Sequence, residues 1–328
     1  MTESAPAIPI RARLLPLAPL LPAIPAFVAL FGFGMAAPDV LTTGNLWNIA
    51  TQTSYLTIFT LGQTTVLLTA GLDLSIGMTV SYTSIVAALA LVNVATPGLA
   101  VLAYLAAGLG LGLVIGAVNG FFVAVVGINP FIVTLGTYNI LLALSSTVTG
   151  GFPVSGFPPL AGRVLVDASV LGIPIPIVIS AAVMVIVGFL LRRTVFGRSL
   201  YLIGSNPSMA TAAGIRVRLH TLGAYLLCSG LGTFGGLLLS ARAGSGEPNI
   251  GGSLALQTIA AAVIGGAHLR GGKGGVLSAL LGAFFITVLS NGMNLARIDG
   301  YIQQLCIGAI IILSLLAEQI SQNEERSS

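Results

Sequence analysis

The chain has 328 residues, 55% hydrophobic and only 7% charged, with a formal net charge of +4 and a mean hydropathy of +1.02. A water-soluble domain of this length needs charged surface on most of its helices, so the composition excludes a soluble globular enzyme and points to a chain that crosses a membrane many times. The small positive charge comes from arginines between apolar runs; it reports orientation in a membrane and gives no support for nucleic-acid binding.

Apolar runs separated by short polar breaks predict an all-α membrane protein, a polytopic helical bundle of about ten transmembrane spans. The spans fall at 14–36, 46–70, 75–95, 98–126, 129–149, 171–191, 221–243, 255–269, 274–294 and 298–318. The first run has a basic flank and ends in "MAAP", as a cleaved signal does, but its length of about 22 residues exceeds a signal core and it is read as a span. Pro16, Pro19, Pro22 and Pro25 make its first half irregular. Residues 14–318 then form one membrane domain between tails at 1–13 and 319–328. With Arg11 and Arg13 holding the N-terminus in the cytoplasm, alternation places the C-terminus, the segment 192–220 and the connection carrying Arg270 and Lys273 there too. Asp39, Asp167, Glu247 and Asp299 fall outside, as the positive-inside rule asks. Merging or splitting the short run at 255–269 would reverse everything after it.

The first break inside the apolar pattern is "TAGLDLSIG" at 69–77, and "GGAHLRGGKGG" at 265–275 echoes it. Aligned without gaps they pair Gly71 with Gly266, Asp73 with His268, Leu74 with Leu269 and Gly77 with Gly272, a weak internal repeat. Glycine-interrupted segments in two halves of a transporter mark broken helices at its moving centre, which makes Gly71, Asp73, Ser75, Gly77, Gly265, Gly266, Gly271, Gly272 and Lys273 the gating candidates. Two plain glycine-rich turns would give the same spacing. Asp73 suits a helix cap for a helix starting near Ser75; an ion pair with Arg270 or Lys273, or a substrate contact, are its other possible roles.

The fourth span reads "GLGLGLVIGAVNG", which puts Gly108, Gly112, Gly116 and Gly120 on one helix face as a packing stripe or a sliding surface. Gly232 and Gly236 repeat the spacing in the seventh span. Cys228 and Cys306 each sit in an apolar run and read as small buried hydrophobes.

Five of the thirteen cationic residues gather between Arg192 and Arg218. Inside that stretch Asn206 suits an N-cap, Pro207 the first helical position and Gly214 the left-handed residue past the end, so a two-turn helix is predicted over 207–213. So short a helix is marginal alone, and its punctuation implies that something holds it. Its outward residues are expected to be Ser208, Ala210, Thr211, Ala212 and Ala213, a smooth knob suited to a partner's groove, or else a surface loop kept inside by charge.

Catalytic signatures fail. "GGKGG" at 271–275 has Ala267 where a phosphate loop needs glycine and Gly274 where it needs a hydroxyl; the only histidines are His220 and His268. Acid, base and nucleophile nowhere converge, so the reading is a transport subunit rather than an enzyme.

"GLDLSIG", "FGRSLYLIGSNPSMATAAGI" and "AAVIGGAHLRGGKGGVLSALLGAFFITVLSNGMNL" together resemble the membrane permeases of bacterial ribose-type sugar importers of the ATP-binding cassette class. The likeness runs over about 46–316, leaving out the proline-rich N-terminus; His268 and Arg270 depart from the small residues common in relatives. The resemblance implies a multi-pass inner-membrane subunit, usually paired with a second permease subunit as homo- or heterodimer and surrounded by membrane lipid. It would sit beneath a periplasmic sugar-binding protein and on a cytoplasmic ATPase that holds ATP and Mg²⁺, with no cofactor bound by this chain. Segment 204–215 is then the coupling loop, with Gly204, Asn206, Pro207, Ala210, Ala212, Ala213, Gly214 and Ile215 meeting the ATPase. Polar groups in apolar spans become candidates for the sugar pathway: Gln63, Asn119, Asn129, Tyr138, Asn139, Gln257, Asn291 and Asn294. Interhelical hydrogen bonding is the alternative for each. Rival functions are an ion-gradient secondary transporter centred on Asp73, a membrane-embedded enzyme, and an importer permease for branched-chain amino acids or nucleosides.

Overall fold

The computed structural model describes residues 23–157 and 159–327, so the N-terminal tail, the start of the first span and Pro16, Pro19 and Pro22 lie outside the described residues. Each predicted span finds a helix: α1 Ala23–Ala36, α2 Thr43–Leu68, α3 Ile76–Val92, α4 Pro97–Gly120, α5 Pro130–Thr149 and α6 Ile175–Arg193. The segment 192–220 folds at its centre as α7 Val195–Ser205 and α8 Pro207–Ala212, followed by α9 Val217–Ala243, α10 Leu254–Ile264, α11 Val276–Leu295 and α12 Gly300–Ser327. Five of these are long and apolar enough to cross a membrane by length and composition: α4 with a π-helical continuation to Val126, α5, α6, α9 and α11.

Three departures from the predicted spans have physical causes. α2 has 26 residues but is threonine-rich, and every residue from Thr53 to Leu68 is buried. A helix that polar can sit in a bilayer only when other helices enclose it, and α6, α9, α10 and α11 pack around it. At 11 residues α10 is only about 16 Å long, too short for a bilayer core of about 30 Å; the expected run 255–269 ends early because Gly265 and Gly266 stop the helix. The run expected from 171 opens on a two-stranded hairpin, Ser169–Val170 with Ile173–Pro174, and the helix starts only at Ile175. Leu171 and Gly172, both at positive φ, make its turn, and this hairpin departs from the expected all-α fold. At the other end α12 runs through the expected tail boundary at 318 without a break.

The glycine stripe of α4 is a packing surface against α9. An added Cβ on Gly108 would meet Leu237, on Gly112 Thr233, on Gly116 the Tyr225 carbonyl oxygen at 2.8 Å, and on Gly120 the Leu222 Cα at 3.1 Å. Tyr104, one turn before Gly108, donates its hydroxyl to the Leu237 carbonyl at 2.5 Å. Because the neighbour at Gly116 is backbone, it cannot step aside. Gly116→Val is expected to cost at least about 1–3 kcal/mol from overpacking, read as a lowered melting temperature in detergent. Cys228 is buried in α9 and Cys306 half-buried in α12, both free thiols.

Candidate functional site

α8 has the caps its sequence specifies. The Asn206 side-chain oxygen accepts the Met209 N–H at 3.0 Å, and Pro207 opens the helix. At the end, Gly214 at φ +78° donates its N–H to Thr211 and Ile215 donates to Ala210, each at 3.0 Å, which satisfies the last carbonyls. The helix is 207–212 with Ala213 as C-cap, one residue shorter than expected. Two expectations for its outward face need correction: Ala210 is buried, whereas Met209 is 69% exposed. Leu202 on α7 is exposed as well, and so are Arg198, Arg216 and Arg218 of the same segment.

Close backbone approach fixes this segment to the rest of the molecule. A Cβ on Gly204 would overlap the Leu68 carbonyl oxygen at the end of α2 and lie 3.0 Å from the Gly271 Cα. Gly271 in turn lies against Ala70 and Gly204, and Gly272 against Ser205. The Gly272 N–H donates to the Leu68 carbonyl at 3.0 Å, and Tyr201 donates to the Gly274 carbonyl at 3.0 Å. Three chain segments distant in sequence thus meet at one knot. Lys273 is exposed beside it, and its carbonyl accepts the His268 N–H.

Both glycine-interrupted segments end a helix in the same way. After α2, Ala70 N–H donates to Leu67 and Gly71 N–H to Val66; after α10, Gly266 donates to Val263 and Ala267 to Ala262. The left-handed residues are Ala70 at φ +59° and Gly266 at φ +98°. Ala70 therefore matches Gly266 and Gly71 matches Ala267, one residue off the gapless pairing read from the sequence. An alanine in this region is strained by about 1 kcal/mol. Ala70→Gly is expected to raise stability by up to about 1 kcal/mol, checked by thermal unfolding.

Between the two helices, residues 71–75 run through the protein interior without helix or strand; Gly71, Asp73 and Ser75 are buried. The Asp73 Oδ1 accepts both the Ser75 N–H at 2.8 Å and the Ser75 hydroxyl at 2.6 Å, the capping role for α3. The Ser75 Oγ accepts the Asn119 amide at 2.8 Å, whose oxygen accepts the Thr137 hydroxyl at 2.6 Å. Tyr225 and Thr134 both donate to the Leu72 carbonyl. Gly77 lies in α3 against Gly251, each leaving no room for a Cβ on the other, and Gly265 packs on the Ser278 carbonyl.

Beside residues 52–59 of α2 a cavity of about 550 Å³ opens among α2, α9, α10, α11 and α12. Gln257 and Asn294, two of the pathway candidates, line it; Tyr138 lines a neighbouring hollow that shares Gln257. Arg242 is the one charge in its lining, and its guanidinium stands 5.7 Å above the Tyr55 ring. Other candidates are placed elsewhere. Asn119 is buried and committed to Ser75 and Thr137, and Asn291 exchanges amide hydrogen bonds with Asn45 at 2.8 and 2.9 Å. Asn129 caps α5 through the Phe131 N–H, and Asn139 is exposed with its amide on its own helix. Gln63 is fully buried with no hydrogen-bond partner for either amide atom among the described residues. The sequence reading missed Gln52, Arg242, Gln303 and Gln304 in the cavity wall. The only available signal was polarity near predicted span ends.

A glycine-keyed knob, broken helices and a polar cavity are the parts of a permease, and comparison with known proteins decides which kind. The family model described as branched-chain amino acid transport system / permease component matches residues 45–315. The chain belongs to this permease family. It is a multi-pass protein of the bacterial inner membrane and an ATP-binding cassette transport permease. It is 38% identical over 290 residues to the probable ABC transporter permease protein y4mJ of Sinorhizobium fredii, covering 88% of this chain and 86% of that one. To the ribose import permease protein RbsC of Escherichia coli it is 35% identical, over 87% of this chain and 89% of the relative. To the D-allose transport system permease protein AlsC of the same organism the identity is 33%, over 88% and 87%. No solved structure matches the chain.

Proposed function

We propose that this permease is the membrane subunit of a sugar importer, passing a monosaccharide or related polyol from a periplasmic binding protein to the cytoplasm. Relatives named for ribose, D-allose and galactose import support a sugar over an amino acid. Ten crossings, with the short α10 prolonged by residues 247–253 running along α3 from Ser84 to Gly77, place both termini, α7–α8 and the loop with Arg270 and Lys273 on the cytoplasmic face. The meeting of Gly204, Leu68 and Gly272 favours one side for all three of these breaks.

The observation that carries the reading is α8: a fully capped, six-residue helix, backed by backbone contacts and presenting exposed Met209 in a segment whose Arg198, Arg216 and Arg218 are exposed too. Between Asp167 and Glu247 the chain has no acid. Such a surface fits a cleft with an apolar floor and an acidic rim on a cytoplasmic ATPase, which holds ATP and Mg²⁺ itself. Nucleotide closure moves α8, the spans rearrange, and the cavity at Gln257 and Asn294 opens alternately to each side. A second permease subunit, identical or not, completes the unit. Sugar shifts this equilibrium only through its differential affinity for the two states, so binding in the cavity is weak and selection rests with the binding protein. Asp73 Oδ1 is spent on Ser75, while its Oδ2 is buried with no hydrogen-bond partner among the described residues.

The test is mass spectrometry of proteins co-purifying in mild detergent with the native chain and with Ala212→Glu. Ala212 is exposed on α8, so the added carboxylate leaves the fold intact and faces the acidic rim. An ATP-binding cassette ATPase captured by the native chain and lost with the variant is the expected result. Equal capture by both removes α8 from the interface.

A further inference from the structure

Resting on the docking role of α8, we propose that the segment 68–77, exposed only at Ala70, is the strap carrying motion from α8 to the cavity, with Asp73 as its positioning residue. One end of the strap is in the cytoplasmic knot: the Leu68 carbonyl takes the Gly272 N–H, and no side chain separates it from Gly204 in α7. The knot has no slack, because its contacts are backbone on backbone. A shift of α7–α8 therefore displaces Leu68 and Ala70.

The middle of the strap is irregular backbone inside the protein, where its polar groups need partners. Side chains of other helices supply them. Tyr225 of α9 and Thr134 of α5 reach the Leu72 carbonyl at 3.2 and 3.5 Å. Asp73 gathers both donors of Ser75, and Ser75 continues through Asn119 of α4 to Thr137 of α5. These bonds tie the strap laterally to α4, α5 and α9, so it moves with them as a body.

The far end meets the cavity wall. Gly77 lies backbone to backbone against Gly251, whose N–H donates to the Ser81 hydroxyl at 3.0 Å. Three residues later α10 begins, and Leu254 and Gln257 in its first turn line the cavity. The path from α8 to α10 is thus continuous: Gly204, Leu68, Asp73–Ser75, Gly77, Gly251. Cutting it at Asp73 should separate ATPase binding from cavity motion, a separation that a purely structural role would not give.

The experiment uses the full chain in complex with the ATPase it captures, in lipid nanodiscs. Spin labels are placed at Leu256 on α10 and at Val185 on the exposed face of α6, a helix outside the strap. In the parent protein the label distance changes when a non-hydrolysable ATP analogue and Mg²⁺ are added. Asp73→Ala is expected to retain the ATPase and lose the distance change. Asp73→Asn keeps an Oδ1 acceptor for both Ser75 donors and is expected to retain the change. Should Asp73→Ala not fold, Ser75→Ala keeps the backbone cap, cuts the link to Asn119, and is read in the same way. A parent-sized distance change in the variant with ATPase bound overturns the strap and leaves the importer reading standing. A parent chain that captures no ATPase takes both down.

Discussion

Gly204→Val abolishes ATP-driven uptake while the chain still reaches the membrane. At Gly204 any Cβ meets the Leu68 carbonyl oxygen, the Gly272 nitrogen at 2.5 Å and the Gly271 Cα at 3.0 Å, all of them backbone. None can rotate away as a side-chain tip could. Relief therefore requires α7 to lift from the end of α2, which breaks the Gly272–Leu68 hydrogen bond. The overpacking costs about 1–3 kcal/mol and the lost bond about 1 kcal/mol more. That total is below the stability of an ordinary domain, about 5–15 kcal/mol, so folded protein persists with α8 displaced from its working position. Uptake by intact cells and surface abundance, measured together, give the result. Gly204→Ala, whose single methyl already meets these backbone atoms, is expected to lose uptake as well. Full uptake by Gly204→Val would mean that the knot is loose.

Gln63→Met raises stability and lowers transport. Gln63 sits in the unbroken buried stretch Thr53–Leu68 of α2, with both amide atoms buried and unbonded among the described residues. A buried amide without partners is destabilising by about 1–3 kcal/mol, and a thioether of similar length removes that penalty. Such a residue is retained against its own cost where function uses it, because stabilising a working site commonly reduces its activity. The two readouts are the melting temperature in detergent, expected to rise, and uptake at equal abundance, expected to fall. A drop in melting temperature would show that the Gln63 amide is bonded in the membrane.

What the sequence made legible was what short-range chemistry decides. Asn206, Pro207 and Gly214 announce α8 because capping depends on residues within one turn. The stripe Gly108 to Gly120 announces close packing because only small side chains at every fourth position permit it. The repeat was visible but misregistered, since its first left-handed residue is Ala70, a type that seldom takes this conformation, and the adjacent Gly71 drew the alignment to itself. Long-range convergence was not legible. No local pattern says that Arg242, Gln52 and Gln303 share a cavity, or that Asn119 is spent on Ser75 and Thr137 and unavailable to a sugar. Met209 was overlooked on α8 because a methionine in an apolar protein reads as core, and burial of Ala210 beside it follows only from how α8 lies on its neighbours.

The most direct test of the importer account is transport by purified components. The permease and its ATPase are reconstituted in liposomes with the sugar-binding protein on one side and ATP with Mg²⁺ on the other. Radiolabelled D-ribose, D-allose and D-galactose serve as probes. The account predicts that at least one of them accumulates, that accumulation requires ATP, and that it persists when all ion gradients are collapsed. Accumulation by the permease alone, driven by an ion gradient without ATPase or nucleotide, would contradict it.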